Sequence, residues 1–342
     1  MKSGSNLERI LAGGHFAVTA EIGPPMDANG EVVLTKARLL KGLADAYNIT
    51  DNQTAVVRLS SIAAAVLIMH EGLEPVMQMT CRDRNRIAIQ SDILGAAALG
   101  IRNCLCIAGD HQSFSAAGKL KGHPGARNVY DVDSIQLVAI LKGLRDDGLQ
   151  QGGDPIEVRP PLFIGAAWTP MGDPLDFRPL RLKKKVDAGA DFIQTQGVYD
   201  VELFRQQMQR VVDMGVTGRT AILAGIIVPK SLGMLRYMDS AVAGVSVPPA
   251  LMDRMAAAAR AAGDDKAKAR RNQEEEGIRI TVELIQQVRE IEGVRGVHIQ
   301  AIEWEDRIPR IVKEAGLVPR PQPTAGPLSA ALSPGLAAGG AA

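Results

Sequence analysis

Apolar segments that end in polar or acidic residues recur along this chain. Each has the length of a strand, and there are about eight: 16–21, 46–50, 76–81, 104–110, 162–168, 192–196, 221–229 and 297–304. Apolar residues at helical spacing follow most of them, as at 31–43, 59–70, 87–99, 133–144 and 175–188. This alternation predicts an α/β fold, a (β/α)8 TIM barrel, whose chemistry lies at the carboxyl ends of its strands.

Three stretches depart from plain alternation. Helical patterns at 231–238, 248–262 and 266–292 add extra helices before the last strand. A long polar segment, 112–128, follows the fourth strand and is predicted to be a wall or lid of the site, with a solvated insertion as the alternative. From 319 onward the chain is too poor in large apolar residues to pack. We therefore predict one barrel domain, 1–318, and a disordered tail, 319–342.

Composition narrows the class of protein. The 39 lysines and arginines nearly balance the 38 aspartates and glutamates, so no strong field favours nucleic acid or an anionic membrane. Neither a membrane-spanning run nor a signal peptide is recognised, which predicts a soluble, cytoplasmic protein. The three cysteines form neither a disulfide framework nor a metal-spaced set, so no metal site is predicted.

Glu21 is the leading candidate for acid–base chemistry. It ends the first predicted strand and precedes Gly23, Pro24 and Pro25, which would fix its carboxylate at the barrel mouth. Partial burial favours the neutral form of a carboxyl group, as a general acid requires. Position alone makes an ion pair at the barrel rim an equal alternative.

Polar side chains also follow the next three strands. Asp110 comes after Gly109, whose lack of a side chain lets the backbone approach a ligand closely. The equivalent places on the second and third strands hold Thr50, Asp51, Asn52, Gln78 and Thr80. Each alone would more often be a turn or capping residue, but their convergence favours a polar small-molecule site.

Two further candidates stand later in the chain. Lys184 and Lys185 belong to a lysine run that is either a solvated helix face or a phosphate contact. Gln196 can both donate and accept hydrogen bonds, which suits the edge of a heterocycle. His298 is expected to be a satisfied core or rim histidine. The glycine-rich, P-loop and nucleophile-elbow motifs of dinucleotide-binding, P-loop and α/β-hydrolase domains are not found in the sequence.

An ordered set of motifs resembles the methylenetetrahydrofolate reductase family from about Phe16 to Leu317. It comprises 20–25, 79–81, 100–103 with 108–110, Tyr130, 185–190 and 195–196. The resemblance implies an FAD-binding barrel that interconverts 5,10-methylenetetrahydrofolate and 5-methyltetrahydrofolate by hydride transfer from reduced flavin. FMN is the less favoured flavin, and the implied reductant is NADH, NADPH or an electron-donating protein partner. A homo-oligomer is also expected.

The resemblance also implies residue roles. Glu21 and Asp110 would be the catalytic residues. Both would also contact folate, as would Gln196, Met234 and Trp304. The flavin would be bound by Thr50, Asp51, Asn52, Gln78, Thr80, Gly109, Asp110, Tyr130, Asp131, Ala167, Trp168, Lys184 and Lys185. Met234, Trp304 and the Asp51–Asn52 pair depart from the residues usual in the family. The alternatives are a pterin-dependent methyltransferase barrel and a flavoprotein subunit that needs a partner for electron input.

Overall fold

A closed parallel barrel forms the body of the protein. The computed structural model describes residues 1–113, 115–116, 119–120 and 122–322. Within them the barrel strands are β1 (Ala17–Ile22), β2 (Ala46–Ile49), β3 (Pro75–Thr80), β4 (Asn103–Ile107), β5 (Phe163–Trp168), β6 (Phe192–Gly197), β7 (Ala221–Ile227) and β8 (Val294–Gln300). Each strand pairs with its sequence neighbours, and β8 closes the ring on β1. The predicted TIM barrel is confirmed.

Helices surround the barrel in chain order. In the described part of the chain they are α1 (Asn6–Ala12), α2 (Gly30–Leu40), α3 (Ser61–His70), α4 (Arg86–Ala98), α5 (Ser134–Lys142), α6 (Phe177–Ala188), α7 (Val201–Asp213), α8 (Leu232–Ala241), α9 (Pro249–Arg260), α10 (Lys266–Arg289) and α11 (Ile308–Glu314). The predicted extra helices are α8 to α10. The sequence pattern assigned no helix to α7 or α11. None of these helices is long and apolar enough to cross a membrane.

Two predicted strand ends were wrong. β4 ends at Ile107, and β8 runs from Val294 to Gln300, so 108–110 and 301–304 are loops at the carboxyl end of the barrel. We call this end the mouth. Gly109 and Glu303 lie in these two loops with positive φ, a backbone conformation that does not continue a strand. Gly109, Asp110 and Trp304 therefore stand on connecting loops above the strands, whereas Glu21, Thr80 and Gln196 belong to the strands themselves.

The opposite end of the barrel, here called the base, is closed by apolar packing. Leu7 and Ile10 of α1 pack on inward-facing residues in the amino-terminal parts of the strands, including Leu105, Phe163 and Phe192. The rings of Phe163 and Phe192 stack with centroids 5.1 Å apart. A filled interior of this kind makes the barrel a packed core rather than a pore.

Buried ion pairs also hold the base. Asp191 accepts a hydrogen bond of 2.5 Å from Arg145 and one of 2.5 Å from Lys2. Asp45 accepts one of 2.5 Å from Arg320, which also donates to the Phe16 carbonyl over 2.8 Å. Arg320 was predicted to lie in the tail, yet its side chain is held by the barrel. The remainder of the predicted tail, 323–342, lies outside the described residues.

The 112–128 segment is described in part. It contains two short antiparallel strands, Ser115–Ala116 and Lys119–Leu120. His123 donates a backbone hydrogen bond to Gln112, and Asn128 accepts one from the Gln112 amide. A Cβ at Gly122 would come within 3.2 Å of the Thr54 carbonyl, so the segment packs on the loop that follows β2. Its position is that of a wall beside the mouth, while a moving lid stays a prediction.

Candidate active site

Glu21 lies at the mouth on the inward-facing side of β1. Its Oε2 accepts a hydrogen bond of 3.3 Å from Gln300, and it lies 3.9 Å from Nε2 of His298. The Glu21 side chain is 14% exposed and lines a cleft of about 260 Å³. The rim ion pair that was the alternative is not formed with any lysine or arginine of the described residues. Glu21 is therefore half-buried and accessible from the cleft, as a proton donor must be.

A layer of polar side chains crosses the barrel interior beneath Glu21. Asn48 and Gln194 exchange two hydrogen bonds, of 2.6 and 3.0 Å, and Gln194 also donates to the Thr19 hydroxyl over 3.0 Å. That hydroxyl lies 2.9 Å from Nδ1 of His298. All four residues are buried, so each needs these partners. The chain of hydrogen bonds fixes the ring whose other nitrogen faces Glu21.

Sequence reasoning missed this layer except for His298. The available signal was the period of two along each strand, because Thr19 and Asn48 stand two residues before Glu21 and Thr50. Polar residues at such inward positions are unusual in a barrel core, where bulky branched side chains dominate.

Asp110 lies on the loop after β4 and is exposed. Its carboxylate accepts a hydrogen bond of 2.9 Å from the Thr54 amide, while its carbonyl accepts one of 3.1 Å from Arg82. Arg82 also donates to the Asn52 carbonyl over 3.1 Å. The buried Arg82 guanidinium thus ties the loops after β2 and β4 together. It was not among the predicted site residues.

Asp51 and Thr80 are hydrogen-bonded to each other. Asp51 is buried, and it accepts hydrogen bonds of 2.9 and 3.0 Å from the Thr80 amide and hydroxyl. Arg84 donates a further bond of 2.7 Å to Asp51. Burial would raise the pKa of the neighbouring Asp83, but hydrogen bonding and charge from Arg82 outweigh it and lower that pKa. The resulting ion cluster forms one rigid side of the mouth.

Four other predicted residues lie at or near this side. Thr50 donates to the Gln53 side chain, and Gln78 is 8% exposed. The Tyr130 hydroxyl donates to the Gly109 carbonyl over 3.0 Å. Asp131 lies further out, where hydrogen bonds from Arg86 lower its pKa to about 2. Asp131 is therefore an outer ion-pair partner of α4.

The inner wall on the far side of the mouth is formed by small or amide side chains. Phe163 points into the base, so the period of two turns Ala167 inward as well. Gln196, at the end of β6, accepts a hydrogen bond of 3.1 Å from the Gly197 amide. Both residues are partly exposed, which leaves their inward faces open to a ligand.

Two predicted flavin contacts point elsewhere. Trp168 turns outward and packs against Phe204 of α7 at 6.3 Å between ring centroids, and its Nε1 donates to the Arg178 carbonyl. Lys185 is 8% exposed and donates to the Ala167 carbonyl over 2.5 Å. Burial lowers the pKa of Lys185 to about 8. Lys184 lies at the surface with its ammonium 6.0 Å from the Phe177 ring centroid.

The two predicted folate contacts with unusual residue types follow the last two strands, Met234 on a helix and Trp304 on a loop. Met234 is on the first turn of α8, where its sulfur accepts a hydrogen bond from the Lys230 amide. Trp304 is 9% exposed, and the charged groups of Lys230 and Arg307 lie 5.9 and 5.5 Å from its ring. The structure thus brings Glu21, Thr50, Thr80, Gly109, Asp110, Ala167 and Gln196 to the mouth. It holds Trp168, Asp131 and the Lys185 ammonium away from it.

A family model and the similar curated proteins indicate the same family. A family model described as methylenetetrahydrofolate reductase matches residues 6–316. "Methylenetetrahydrofolate reductase 2" of Schizosaccharomyces pombe is 27% identical over 281 residues, covering 77% of this chain and 39% of that protein. The "probable methylenetetrahydrofolate reductase (NADPH)" of Caenorhabditis elegans is 26% identical over 182 residues, covering 52% of this chain and 23% of that protein. The chain thus spans less than two fifths of either relative.

A solved structure shows the same fold. It is an uncharacterized Clostridium thermocellum protein that binds two copies of 5-methyl-5,6,7,8-tetrahydrofolic acid. The TM-score is 0.61 at 14% identity, and the alignment covers 92% of this chain and 99% of that one. At this identity the likeness establishes the barrel alone.

Proposed function

Because the chain belongs to the methylenetetrahydrofolate reductase family, we propose that it interconverts 5,10-methylenetetrahydrofolate and 5-methyltetrahydrofolate by hydride transfer from reduced FAD. The observation that carries the proposal is Glu21, a half-buried carboxyl group at the barrel mouth whose Oε2 is bound by Gln300. The family match extends over the whole barrel, so it includes every strand that contributes to this mouth. The folate bound by the structural neighbour is consistent with a folate substrate here.

A flat ring would fit at the mouth between the loop after β4 and the end of β5. Gly109, on that loop, has no side chain, and Ala167, near the end of β5, has only a methyl group. Gln78 and Thr50 supply an amide and a hydroxyl for the ring edge, and Tyr130 stands beside Gly109. Lys184 is the exposed cation nearest in sequence for a phosphate, since the ammonium of Lys185 is bound to Ala167. Bound FAD, once reduced, would supply the hydride.

Glu21 would supply the proton. The five-membered ring of the folate opens to an iminium only when its departing nitrogen is protonated. Oε2 of Glu21 already accepts a hydrogen bond from Gln300, and among the described residues Oε1 accepts none, which leaves Oε1 to carry that proton. The Asp110 carboxylate would stabilise the positive charge that develops, and Gln196 would orient the pterin.

Reductant and partner are part of the proposal. Reducing equivalents would come from NADH, NADPH or a protein donor. The Asp51 carboxylate, beside Thr50, is already bound by Arg84 and Thr80, so it would not be free to bind a nicotinamide. This favours electron input through a partner protein, so a flavoprotein subunit is retained as the second candidate.

An anaerobic absorbance spectrum tests the proposal. Purified protein, loaded with FAD, should lose its oxidised flavin band when 5-methyltetrahydrofolate is added. Tetrahydrofolate is the control, because it lacks the methyl group that donates hydride. Persistence of the oxidised band, or failure to bind flavin, would contradict the proposal and favour methyl transfer. Bleaching by the folate but not by NADH or NADPH would favour a protein donor.

A further inference from the structure

The cleft beside Glu21 extends away from the barrel axis. It opens between the loop after β1 and the loop after β8, and apolar side chains form much of its wall: Pro24, Pro25, Met26, Val32 and Ile302. Met26 is 67% exposed and Ile302 is 39% exposed, so apolar surface faces solvent along the rim. Such a lining, with a few polar groups, is typical of a site for the aromatic part of a ligand.

Two cations line the same cleft but differ in their partners. Lys36 donates to Glu305 over 2.6 Å and to the Gly23 carbonyl over 3.2 Å, so its charge is matched. Arg58 lies within 4 Å of no carboxylate of the described residues. Its Nη1 donates to the Pro24 carbonyl over 3.0 Å, whereas its Nε is buried and has no partner in the described part of the chain.

An arginine that has no carboxylate partner, and whose Nε makes no hydrogen bond, is suited to bind an anionic ligand. The guanidinium offers a planar fork that binds a carboxylate through two parallel hydrogen bonds, and a buried donor without a partner is costly. The backbone of Arg58 is itself fixed, since its amide donates to the Asn52 side chain over 2.9 Å. The cleft is thus lined by Glu21, an apolar wall, the unmatched cation of Arg58 and a further carboxylate, that of Glu303.

We propose that Arg58 binds a carboxylate of the benzoyl-glutamate tail of the folate, with the benzoyl ring on the apolar wall of the cleft. The inference rests on the proposed function, because that function places the reacting end of the substrate at Glu21. Trp304, which the family resemblance named as a folate contact, is buried between Lys230 and Arg307 and carries no charge of its own. Arg58 would therefore supply the charge that recognises the carboxylate.

Steady-state kinetics with two substrates, and with a quinone as the electron acceptor that reoxidises the flavin, test the role of Arg58. One substrate is 5-methyltetrahydrofolate, and the other is a 5-methyltetrahydropterin that lacks the benzoyl-glutamate tail. In Arg58→Met we expect KM for the folate to rise about 10- to 100-fold with kcat within twofold. The truncated substrate should be unaffected. Arg38→Met, which removes an exposed cation from the same side of the barrel, is the matched control and should change neither KM.

The result also separates the tail site from the reaction. An unchanged folate KM in Arg58→Met, in protein that turns over both substrates, overturns the inference and leaves the proposed function intact. Arg58→Lys keeps the charge without the fork and should give an intermediate KM, and it decides the matter if the methionine variant does not fold. If the wild type oxidises neither substrate, calorimetric titration with 4-aminobenzoyl-glutamate decides instead. Binding that Arg58→Met abolishes supports the site; equal binding, or none to the wild type, overturns it.

Discussion

The two ends of the barrel differ in how their backbone and charges are arranged. At the base, the carboxylates of Asp45 and Asp191 are buried and each is paired with an arginine. At the mouth, Glu21 and Asp110 lack such a pair in the described structure. The backbone differs as well. All five non-glycine residues with positive φ in the described chain lie on mouth loops: Asn52, Thr54, Ala55, Tyr130 and Glu303.

The two ends of the barrel therefore differ in purpose: the mouth holds strained backbone, and the base holds contacts that stabilise the fold. Left-handed backbone costs a non-glycine residue about 1–3 kcal/mol, and such strain persists where the surroundings enforce it. Arg82 and Asp110 enforce it here, through the Asn52 carbonyl and the Thr54 amide. The base instead carries residues that stabilise the fold, in agreement with the general separation of stability and function between the two ends of these barrels.

Replacement of Glu21 should give the largest effect, and it should be an effect on rate alone. Glu21→Gln removes the proton donor while it keeps the shape, so turnover of folate should fall by roughly 10²–10⁴. The melting temperature should stay within about 2 °C, because no ion pair is lost. Glu303→Gln, at another carboxylate of the cleft, is the control and should retain turnover. An equally inactive control would show that charge in the cleft, rather than a proton on Glu21, is what matters.

Replacement of Asp191 should show the opposite pattern. Asp191→Ala removes the buried carboxylate that pairs with the Arg145 guanidinium and leaves that guanidinium only the partly exposed Asp146, which should lower the free energy of unfolding by about 3–5 kcal/mol. Urea denaturation measures this, and kcat of the folded fraction should be unchanged. Asp187→Asn, at a surface ion pair, should cost about 1 kcal/mol or less. Similar losses from both variants would remove the distinction between base and surface.

Lys185 should make stability depend on pH. Burial lowers its pKa to about 8 in the folded protein, against 10.5 for the ordinary side chain. Between pH 8 and 10.5 the unfolded chain therefore holds more protons, and wild-type stability should rise with pH relative to Lys185→Met. The full change is roughly 3 kcal/mol at 1.36 kcal/mol per pKa unit, and below pH 8 the difference should be constant. A flat difference between pH 8 and 10.5 would mean that the ammonium is not buried in solution.

Release of strain at the mouth should give the smallest effect. Thr54 has a φ of 57°, so Thr54→Gly should raise the free energy of unfolding by up to about 1 kcal/mol. Thr217→Gly, at a helical turn outside the mouth, should lower it by a similar amount. Thermal denaturation of both variants provides the comparison. Destabilisation by Thr54→Gly would show that this loop holds no stored strain.

The sequence predicts the barrel well because parallel strands buried on both faces appear as short apolar runs between helices. α7 was predictable too, since Phe204, Met208 and Val211 are spaced as on one helix face. Contacts between distant residues were not. Arg320 and Asp45 are 275 positions apart, and nothing local to either residue indicates their pairing.

The residues at the mouth were predicted only in part. Glu21 and Asp110 follow from the rule that chemistry gathers where strands end, and both lie there. The direction of a side chain is harder to predict. Trp168 is the sixth residue of a strand whose first residue points inward, so the period of two turns it outward. The binding of the Lys185 ammonium to a strand carbonyl depends on helix position, which composition does not reveal.

The hydrogen bonds of Arg320 to Phe16 and Asp45 hold that end of the described chain at the base, which has a practical use. Lys2 and Ser3 also lie at the base, where Lys2 binds Asp191 and the Ser3 carbonyl accepts from Arg102. Both ends of the described chain therefore leave the molecule on the face opposite Glu21. A fluorophore or a surface tether attached at Met1 or Gln322 would stand at the base, across the barrel from the cleft, so the immobilised protein should still present an open mouth to its ligands.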